Sequence, residues 1–422
     1  MSRAGEGLPR LVPAETRLSA LAAEHGGFSL ITYNVLVPNG PDGWWVAKWY
    51  DAGTPEAART WPHRQALLAA KLSGADADVV CLQETRAASL AEDFGFLMDA
   101  GYEAAIHRKY HLRPATLWRA SAWGCVHTRH TDRVLGVVLR ARGQPDRVLG
   151  VLNVHLTAGP DPRRRFRQVF DALEALGKDL QRLGVAPERA AVVVCGDFNA
   201  APEGSATQHL LAGGTVDAAF REPRWPERAL SSRPRRHGFS PFAEVYLQAL
   251  GGAPATHIGS LAAALLEEGP RITAIEAMFD VFADGAGRMD RDAVAAWITR
   301  INRALGRGSE HRKAAAVMEN TGRPWLSRAD FVALYRSELA DGKVRSLQHD
   351  LQVCGVLPEG ERVLSAASLD RIGYTVGPLE AVAAWDPLTE AQRREMTTAR
   401  VGLPNRWHPS DHLPLGAVWR WG

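Results

Sequence analysis

Apolar runs of strand length recur along this chain, and each stops on or beside a polar group; that repetition limits the fold more than any other feature of the sequence. Phe28-Ser-Leu-Ile-Thr-Tyr-Asn-Val-Leu-Val37 contains Asn34 and is closed by Pro38-Asn39-Gly40, and Asp78-Val-Val-Cys-Leu-Gln-Glu84 ends on Glu84. Val148 to Leu156 holds Asn153 and His155, and Ala191-Val-Val-Val-Cys195 runs into Gly196-Asp197-Phe198-Asn199. Short β-branched and apolar runs bounded by turn formers read as buried strands. A helix starts at Trp61-Pro62, with Arg64, Leu68 and Leu72 at helical spacing, and ends at Ser73-Gly74. Proline is tolerated in such a first turn because its missing N–H has no partner there. A second helix runs from Phe166 to Leu183, with Phe170, Leu173, Leu176 and Leu180 at steps of three and four between them; that spacing makes one apolar stripe.

Val134 to Leu139 and Val148 to Leu156 are joined by Arg142-Gly-Gln-Pro-Asp146, which predicts a hairpin. Antiparallel pairing beside strand–helix–strand alternation predicts a mixed sheet or two packed sheets covered by helices, rather than a purely parallel doubly wound sheet. From Gly259 to Pro358 the texture turns Ala-rich, charge-laced and helical, and strand-like sequence resumes at Arg362-Val-Leu-Ser365 and at Leu413 to Trp419. The expected organisation is an N-terminal extension over 1–27, one α/β domain built from 28–258 and 359–422, and an inserted helical domain over 259–358.

Of the 422 residues 46% are apolar and 23% charged, too hydrophobic for a scaffold of solvated tails. Fifty basic against 47 acidic residues leave a net charge of +3, which by itself argues for no nucleic-acid partner. Cys81, Cys125, Cys195 and Cys354 lie far apart with no C-x-x-C spacing, so neither a disulfide framework nor a thiolate zinc site is expected, and a reducing compartment fits. Residues 1–27 lack the continuous apolar core of a secretory signal, and no run has the length of a membrane span. The expected location is cytoplasmic, with nucleus or organelle as alternatives, and no membrane partner is expected.

Asn34, Glu84, Asn153 with His155, Asp197 with Asn199, and Ser410-Asp411-His412 all fall at strand ends. One at a time, each has a turn or cap as its plain explanation. Together they would gather carboxylates, amides and imidazoles at one rim, which suits a magnesium-assisted hydrolase. Mg²⁺ takes one or two carboxylates plus waters and substrate phosphate oxygens, whereas zinc would want more His or Cys.

On these motifs the chain resembles the endonuclease/exonuclease/phosphatase superfamily with the deoxyribonuclease I-like fold, which implies a four-layer α/β sandwich, two packed mixed β-sheets flanked by helices, here with an inserted α-helical EF-hand-like domain. The resemblance rests on Thr32-Tyr-Asn-Val-Leu36, Cys81-Leu-Gln-Glu84, Asn153-Val-His-Leu156, Gly196-Asp-Phe-Asn199 followed by Pro202, Leu369-Asp-Arg-Ile372 and Pro409-Ser-Asp-His-Leu-Pro414. Leu403-Pro-Asn405 and the Arg165-x-x-Gln168 helix start are most similar to the branch of carbon-catabolite-repressor-type deadenylases, nocturnin and angel proteins. The resemblance implies a Mg²⁺ site, with Mn²⁺ as a substitute, formed by Glu84 with Asn34 and Asp411. It implies that Asp197 orients or deprotonates the attacking water, that Asn199 holds the phosphate or the nucleophile, and that His155 and His412 neutralise phosphoryl charge. Asp370 would fix the tautomer of His412, although Asp370-Arg-Ile-Gly-Tyr374 departs from the aromatic pair common in relatives, and Asp386 is the nearest rival.

For substrate, Trp45 in the Trp44-Trp45, Trp49-Tyr50 loop and Arg165 in Arg163-Arg-Arg165 are the candidates, against the plainer readings of core closure and a solvated helix start. The insert resembles a pair of EF-hands: a loop at Ala283-Asp-Gly-Ala-Gly-Arg-Met-Asp290 and a second at Glu319 to Asp330. Asp284, Asp290 and Asp330 are its candidate calcium ligands, but the oxygens needed at positions 1, 3, 5 and 12 are mostly missing. A structural or protein-partner-binding module is expected there before a calcium site. The function expected is a Mg²⁺-dependent phosphoesterase, a 3′–5′ exoribonuclease or deadenylase-like nuclease acting on RNA or a nucleotide-like phosphate. The alternatives are a phosphatase on a small nucleotide or inositol phosphate, and a non-catalytic calcium-binding interaction protein.

Overall fold

Side chains alternate along Phe28–Asn34, so Phe28 and Leu30 enter one apolar cluster while Ile31 and Tyr33 enter another on the opposite face. That alternation, repeated in every long strand, builds the layers. The computed structural model describes residues 8–38, 43–51, 54–159, 161–200, 204–223, 226–227 and 229–422; Asn39, Gly40 and Pro202 lie outside the described residues.

One mixed sheet has seven strands, in the order Arg10–Val12, Leu379–Trp385, Leu415–Trp421, Phe28–Asn34, Val79–Thr85, Arg113–Arg119 and Tyr102–Ile106. The other has six: Phe242–Glu244, Asp370–Thr375, Ala191–Asp197, Val148–His155, Val134–Ala141 and Trp123–Thr131. Phe28, Leu30, Val79, Cys81 and Trp419 of the first sheet pack on Leu135, Val151, Val193, Cys195 and Ile372 of the second, so the sheets lie face to face. Leu68 and Leu72 of helix Trp61–Ala75 and Phe94 of helix Leu90–Asp99 cover the outer face of the first. Helix Pro162–Arg182 covers the outer face of the second through Phe166, Val169, Leu173, Leu176 and Leu180. The fold is the expected pair of mixed sheets flanked by helices.

The N-terminal segment differs from the expected extension. Arg10–Val12 pairs in parallel with Leu379–Trp385 as an edge strand, and Leu18 and Leu21 of helix Leu18–Glu24 sit in the core cluster of the first sheet. Three residues are too short a run for period-2 patterning to reveal a strand, so only the ladder identifies this one.

A second difference lies at the border of the helical segment. His257–Ala262 is a strand, paired in antiparallel register with Arg362–Ala367, and the helices hang from this two-stranded stem. Helices Glu268–Phe282, Arg291–Asn302, Gly308–Thr321, Arg328–Ala340 and Val344–Val353 enclose their own core around Met278, Phe279, Trp297, Phe331, Tyr335 and Leu351. The two loops of its helix–loop–helix units pair through Arg288↔Ser327, Met289↔Leu326 and Asp290↔Trp325.

The unit is locked to the Trp44–Ala47 turn by charge. Lys48 Nζ, 3% exposed, lies 3.4 Å from Glu310 Oε1 and 3.3 Å from Asp350 Oδ1, both side chains also buried. Removing one partner of a buried ion cluster leaves the others desolvated and uncompensated. Lys48→Met is therefore expected to cost about 3–5 kcal/mol in urea unfolding; a loss within experimental error would show that the cluster contributes nothing to holding the helical unit in place.

Candidate active site

Strand direction brings the polar ends together. Phe28–Asn34 is parallel to Val79–Thr85, and Val148–His155 is parallel to Ala191–Asp197, so Asn34, Glu84, His155 and Asp197 all lie at C-terminal ends. Asp370–Thr375 and Leu415–Trp421 run the opposite way, so Asp370 and the Ser410–His412 lead-in arrive at the same rim from their N-terminal sides. Asp197 pairs across its sheet with His155 on one side and Asp370 on the other.

Local backbone then aims the side chains. Glu84 has φ +59° beside a register shift between Leu82 and Thr85, and Leu36 (φ +50°) and Asn199 (φ +49°) share the left-handed region. Non-glycine residues there are uncommon, and such conformations gather at functional sites. Gly196, before Asp197, is required sterically: at φ +127° an added Cβ would stand 2.1 Å from the Val154 carbonyl oxygen.

Asn34 Nδ2 donates to Asp197 Oδ2 (3.1 Å) and to Glu84 Oε1 (3.4 Å). His155 Nε2 lies 3.7 Å from Glu84 Oε1 and 3.8 Å from Asp197 Oδ2. His412 Nδ1 is 2.7 Å from Asp370 Oδ2, and its Nε2 faces Asp197 Oδ2 at 3.9 Å. The Asn199 backbone N–H donates to Asp197 Oδ1 (2.8 Å), while its Nδ2 donates to the Leu156 carbonyl (3.0 Å). Asp411 stands beside His257, with Oδ2 3.6 Å from His257 Nε2. Glu84, Asn34, His155, Asp197, Asn199, Asp370, Asp411 and His412 therefore share one cleft. Asp386 is elsewhere: it accepts from Leu388 N (3.1 Å) and pairs with Arg393.

Charge in the cleft is unevenly shared. Burial, then the neighbouring Asp411 carboxylate, pushes the Glu84 carboxyl up to about 7. Burial also raises Asp197, against the pull of His412. For Asp411 burial is overcome by the adjacent imidazoles of His412 and His257, which hold it well below the usual carboxylate range. His412 is opposed by burial yet driven well above an ordinary histidine by Asp370, Asp411 and Asp197. His155 is lowered by burial, with Asp197 opposing.

Among the described residues no three His, Cys, Asp or Glu side chains already converge as a closed metal cage. The donor set nevertheless fits a hard dication. Among the described residues Glu84 and Asp411 have no Lys or Arg ion-pair partner, burial and then the Asp411 carboxylate raise the Glu84 carboxyl, and Glu84 keeps 18% exposure. One or two carboxylates with room for waters is a Mg²⁺-type set.

Several further residues brace the site. Buried Arg64 donates from Nε to the Pro409 carbonyl (2.7 Å) and from Nη2 to those of Leu36 (2.6 Å) and Val35 (3.2 Å), clamping the Asn34 and Asp411 loops together. Ser410 Oγ donates to the Asn34 carbonyl (2.5 Å), and His408 Nε2 meets Tyr33 Oη (3.0 Å) and the His412 carbonyl (2.7 Å). Beneath the site, Gln83 Nε2 donates to Thr32 Oγ1 (2.9 Å) and to Asn153 Oδ1 (2.8 Å), bridging the sheets. Asn153 is thus a structural crosslink. Thr256 Oγ1 accepts from the Asp370 N–H at 3.0 Å.

Arg165 is a correction. It is 1% exposed, and Nη1 donates to the carbonyls of Thr157 (3.2 Å) and Gly159 (2.5 Å), so it shapes a loop instead of standing free at the surface. Burial was invisible in a run of three arginines. Trp45 is half-buried, 5.9 Å from Trp49, which is 6.3 Å from His257. The calcium candidates are turned to local tasks. Asp284 accepts from Ala286 and Arg288 N–H groups (2.9 Å each), Asp290 caps helix Arg291–Asn302, and Asp330 closes a capping box with Ser327 and pairs with Arg323 (2.7 Å).

No curated protein matches this chain. Among solved structures it is similar to ANGEL2, described as a 2′,3′-cyclic phosphatase, at 17% identity over 93% of this chain and 94% of that one, with a TM-score of 0.55. The same protein in complex with adenosine-2′,3′-vanadate gives 17% identity, coverage of 93% and 95%, and a TM-score of 0.54. The human nocturnin catalytic domain with bound sulfate matches at 14% identity over 94% of each chain, with a TM-score of 0.44. The family model supplies what these distant likenesses cannot: it matches residues 31–412, from the strand of Asn34 to His412 itself, and the chain belongs to the endonuclease/exonuclease/phosphatase family of phosphoester hydrolases.

Proposed function

We propose that this chain is a divalent-metal-dependent phosphodiesterase acting on the 3′ ends of RNA, with Mg²⁺ as its metal and Mn²⁺ as a substitute. The observation that carries the reading is the meeting of Asp197, Asn34, Glu84, His155 and His412 around one cleft. Glu84 and Asp411, with the Asn34 side chain, would hold the metal, which when bound neutralises charge on the phosphoryl oxygens. Asp197, fixed through both carboxylate oxygens by Asn34 and the Asn199 N–H, orients a water and accepts its proton. His412, held by Asp370 and raised by the carboxylates around it, presents Nε2 toward the charge that develops on phosphate. His155 stands opposite, and Asn199 keeps the loop after Asp197 tied to Leu156. Phosphoryl transfer needs mainly such positioning and electrostatics.

The experiment is a substrate panel with Mg²⁺, Mn²⁺ and Ca²⁺: a poly(A) oligonucleotide, a 2′,3′-cyclic nucleotide, NADPH and an inositol phosphate. Release of nucleotides from the RNA end supports the reading. Turnover of the small phosphates alone would replace it with a phosphatase. The 2′,3′-cyclic phosphate is the second reading, because the ANGEL2 fold is shared and that protein is described as such a phosphatase.

A polyanionic substrate also fits a cleft of about 450 Å³ at the start of helix Pro162–Arg182, lined by Arg163, Arg164, Arg167 and Arg235 with Phe170. Arg164 is paired with Asp132 (3.1 Å), while Arg163 and Arg167 are exposed. Replacing both exposed arginines by Ala is expected to weaken RNA binding across sequences and to reduce the slope of log affinity against log salt by about 1 per arginine. An unchanged slope in fluorescence anisotropy would take this cleft off the RNA path.

A further inference from the structure

Arg345 carries the helical unit to the site. Arg345, in helix Val344–Val353, donates from Nη2 to the carbonyls of Trp49 (2.8 Å) and Leu403 (2.5 Å), and its Nη1 lies 3.3 Å from His257 Nε2. The same guanidinium stands 4.9 Å over the Trp49 ring. A planar fork can serve several acceptors at fixed angles, which an ammonium cannot. From this brace a run of edge-to-face rings leads to the reacting centre: Trp45 to Trp49 at 5.9 Å, Trp49 to His257 at 6.3 Å, and His257 to His412 at 5.4 Å. Trp45, Trp49 and His257 are each half-buried, so each keeps a surface toward solvent. Lys48 ties the same loop to Glu310 and Asp350 of the helical unit.

We propose that the helical unit forms one wall of the substrate cleft, with Arg345 as the positioning residue for Trp49 and His257, and that these rings with Trp45 make a subsite for the nucleobase beside the scissile phosphate. Flat aromatic surface next to a phosphate site suits a planar base, and stacking there is worth about 5- to 100-fold in affinity. A loop already held by Arg345 does not have to be ordered when the base arrives. The inference rests on the phosphoesterase reading and deepens it.

The test compares an adenosine dinucleotide with the same diester carrying abasic sugars, and measures AMP binding by calorimetry. For Arg345→Met, KM for the base-bearing substrate is expected to rise about tenfold, with kcat within about threefold and KM for the abasic diester unchanged. AMP affinity falls by the same factor, and Arg345→Lys recovers part of it. A purely structural arginine would change both substrates alike, or neither, and either result overturns the subsite. If Arg345→Met fails to fold in a thermal melt, Trp45→Ala, which leaves the brace intact, must show the same KM pattern or the proposal fails. A wild-type protein that cleaves no phosphoester removes the phosphoesterase reading, and the AMP calorimetry then still decides the subsite.

Discussion

Asp197→Asn is expected to lower kcat by about 10³- to 10⁴-fold, with little change in KM. The substitution keeps a side chain of the same shape between Asn34 and the Asn199 N–H but removes the carboxylate proposed to accept a proton from water. A positioned general base contributes about 10²–10⁴ in rate, and the disturbed hydrogen bond from Asn34 adds to the loss. Stability is expected to move the other way. Burial raises the Asp197 carboxyl, so its charge is unfavourable in the fold, and the neutral amide should hold or raise the melting temperature. A loss of activity that tracked a fall in melting temperature would make Asp197 a structural residue, and a kcat within tenfold of wild type would remove it from the chemistry altogether.

Added Mg²⁺ is expected to raise the melting temperature more at pH 8 than at pH 6. The Glu84 carboxyl sits at about 7 in the fold against about 4.5 when free. A raised acid favours the native state below its unfolded value, and that contribution is lost as pH rises through its native value. Metal-free protein should therefore lose stability between about pH 4.5 and 7, and a dication offsets the loss only where Glu84 is ionised. Saturation at about 100 times the dissociation constant adds about 2.7 kcal/mol, a rise of several degrees. In Glu84→Gln the metal-free melting temperature should fall less across this window, and the response to Mg²⁺ should shrink. Equal shifts at the two pH values, or a full response in the variant, would place the metal elsewhere.

The strand-end motifs carried most of the candidate catalytic set because strand direction is itself written in the sequence. A strand–helix–strand unit such as Phe28–Asn34, Trp61–Ala75 and Val79–Thr85 is a parallel crossover, so its two polar ends must emerge on one side. The helix repeat of Pro162–Arg182 and the buried runs at Val148–His155 and Ala191–Asp197 were legible for the same reason. Short elements were not. Arg10–Val12 and His257–Ala262 exist only through their ladders, and residues 257–262 lack the β-branched density that marks a strand.

By itself the sequence determined the mixed α/β class, because periodicity and turn residues act over a few neighbouring positions, while the division of the strands between two packed sheets is a tertiary fact. It also set out which residue types stand at the strand ends. Only the tertiary structure decided which of them became tools and which became ties: Arg165 turned inward under a loop, Asn153 became a bridge between sheets, and Asp284, Asp290 and Asp330 were taken up by turns and caps. It also brought Arg345 to Trp49 and His257, across 296 and 88 residues of chain. Contacts of that span depend on how separate packed units dock, and a local pattern of hydrophobic and polar residues does not encode the docking.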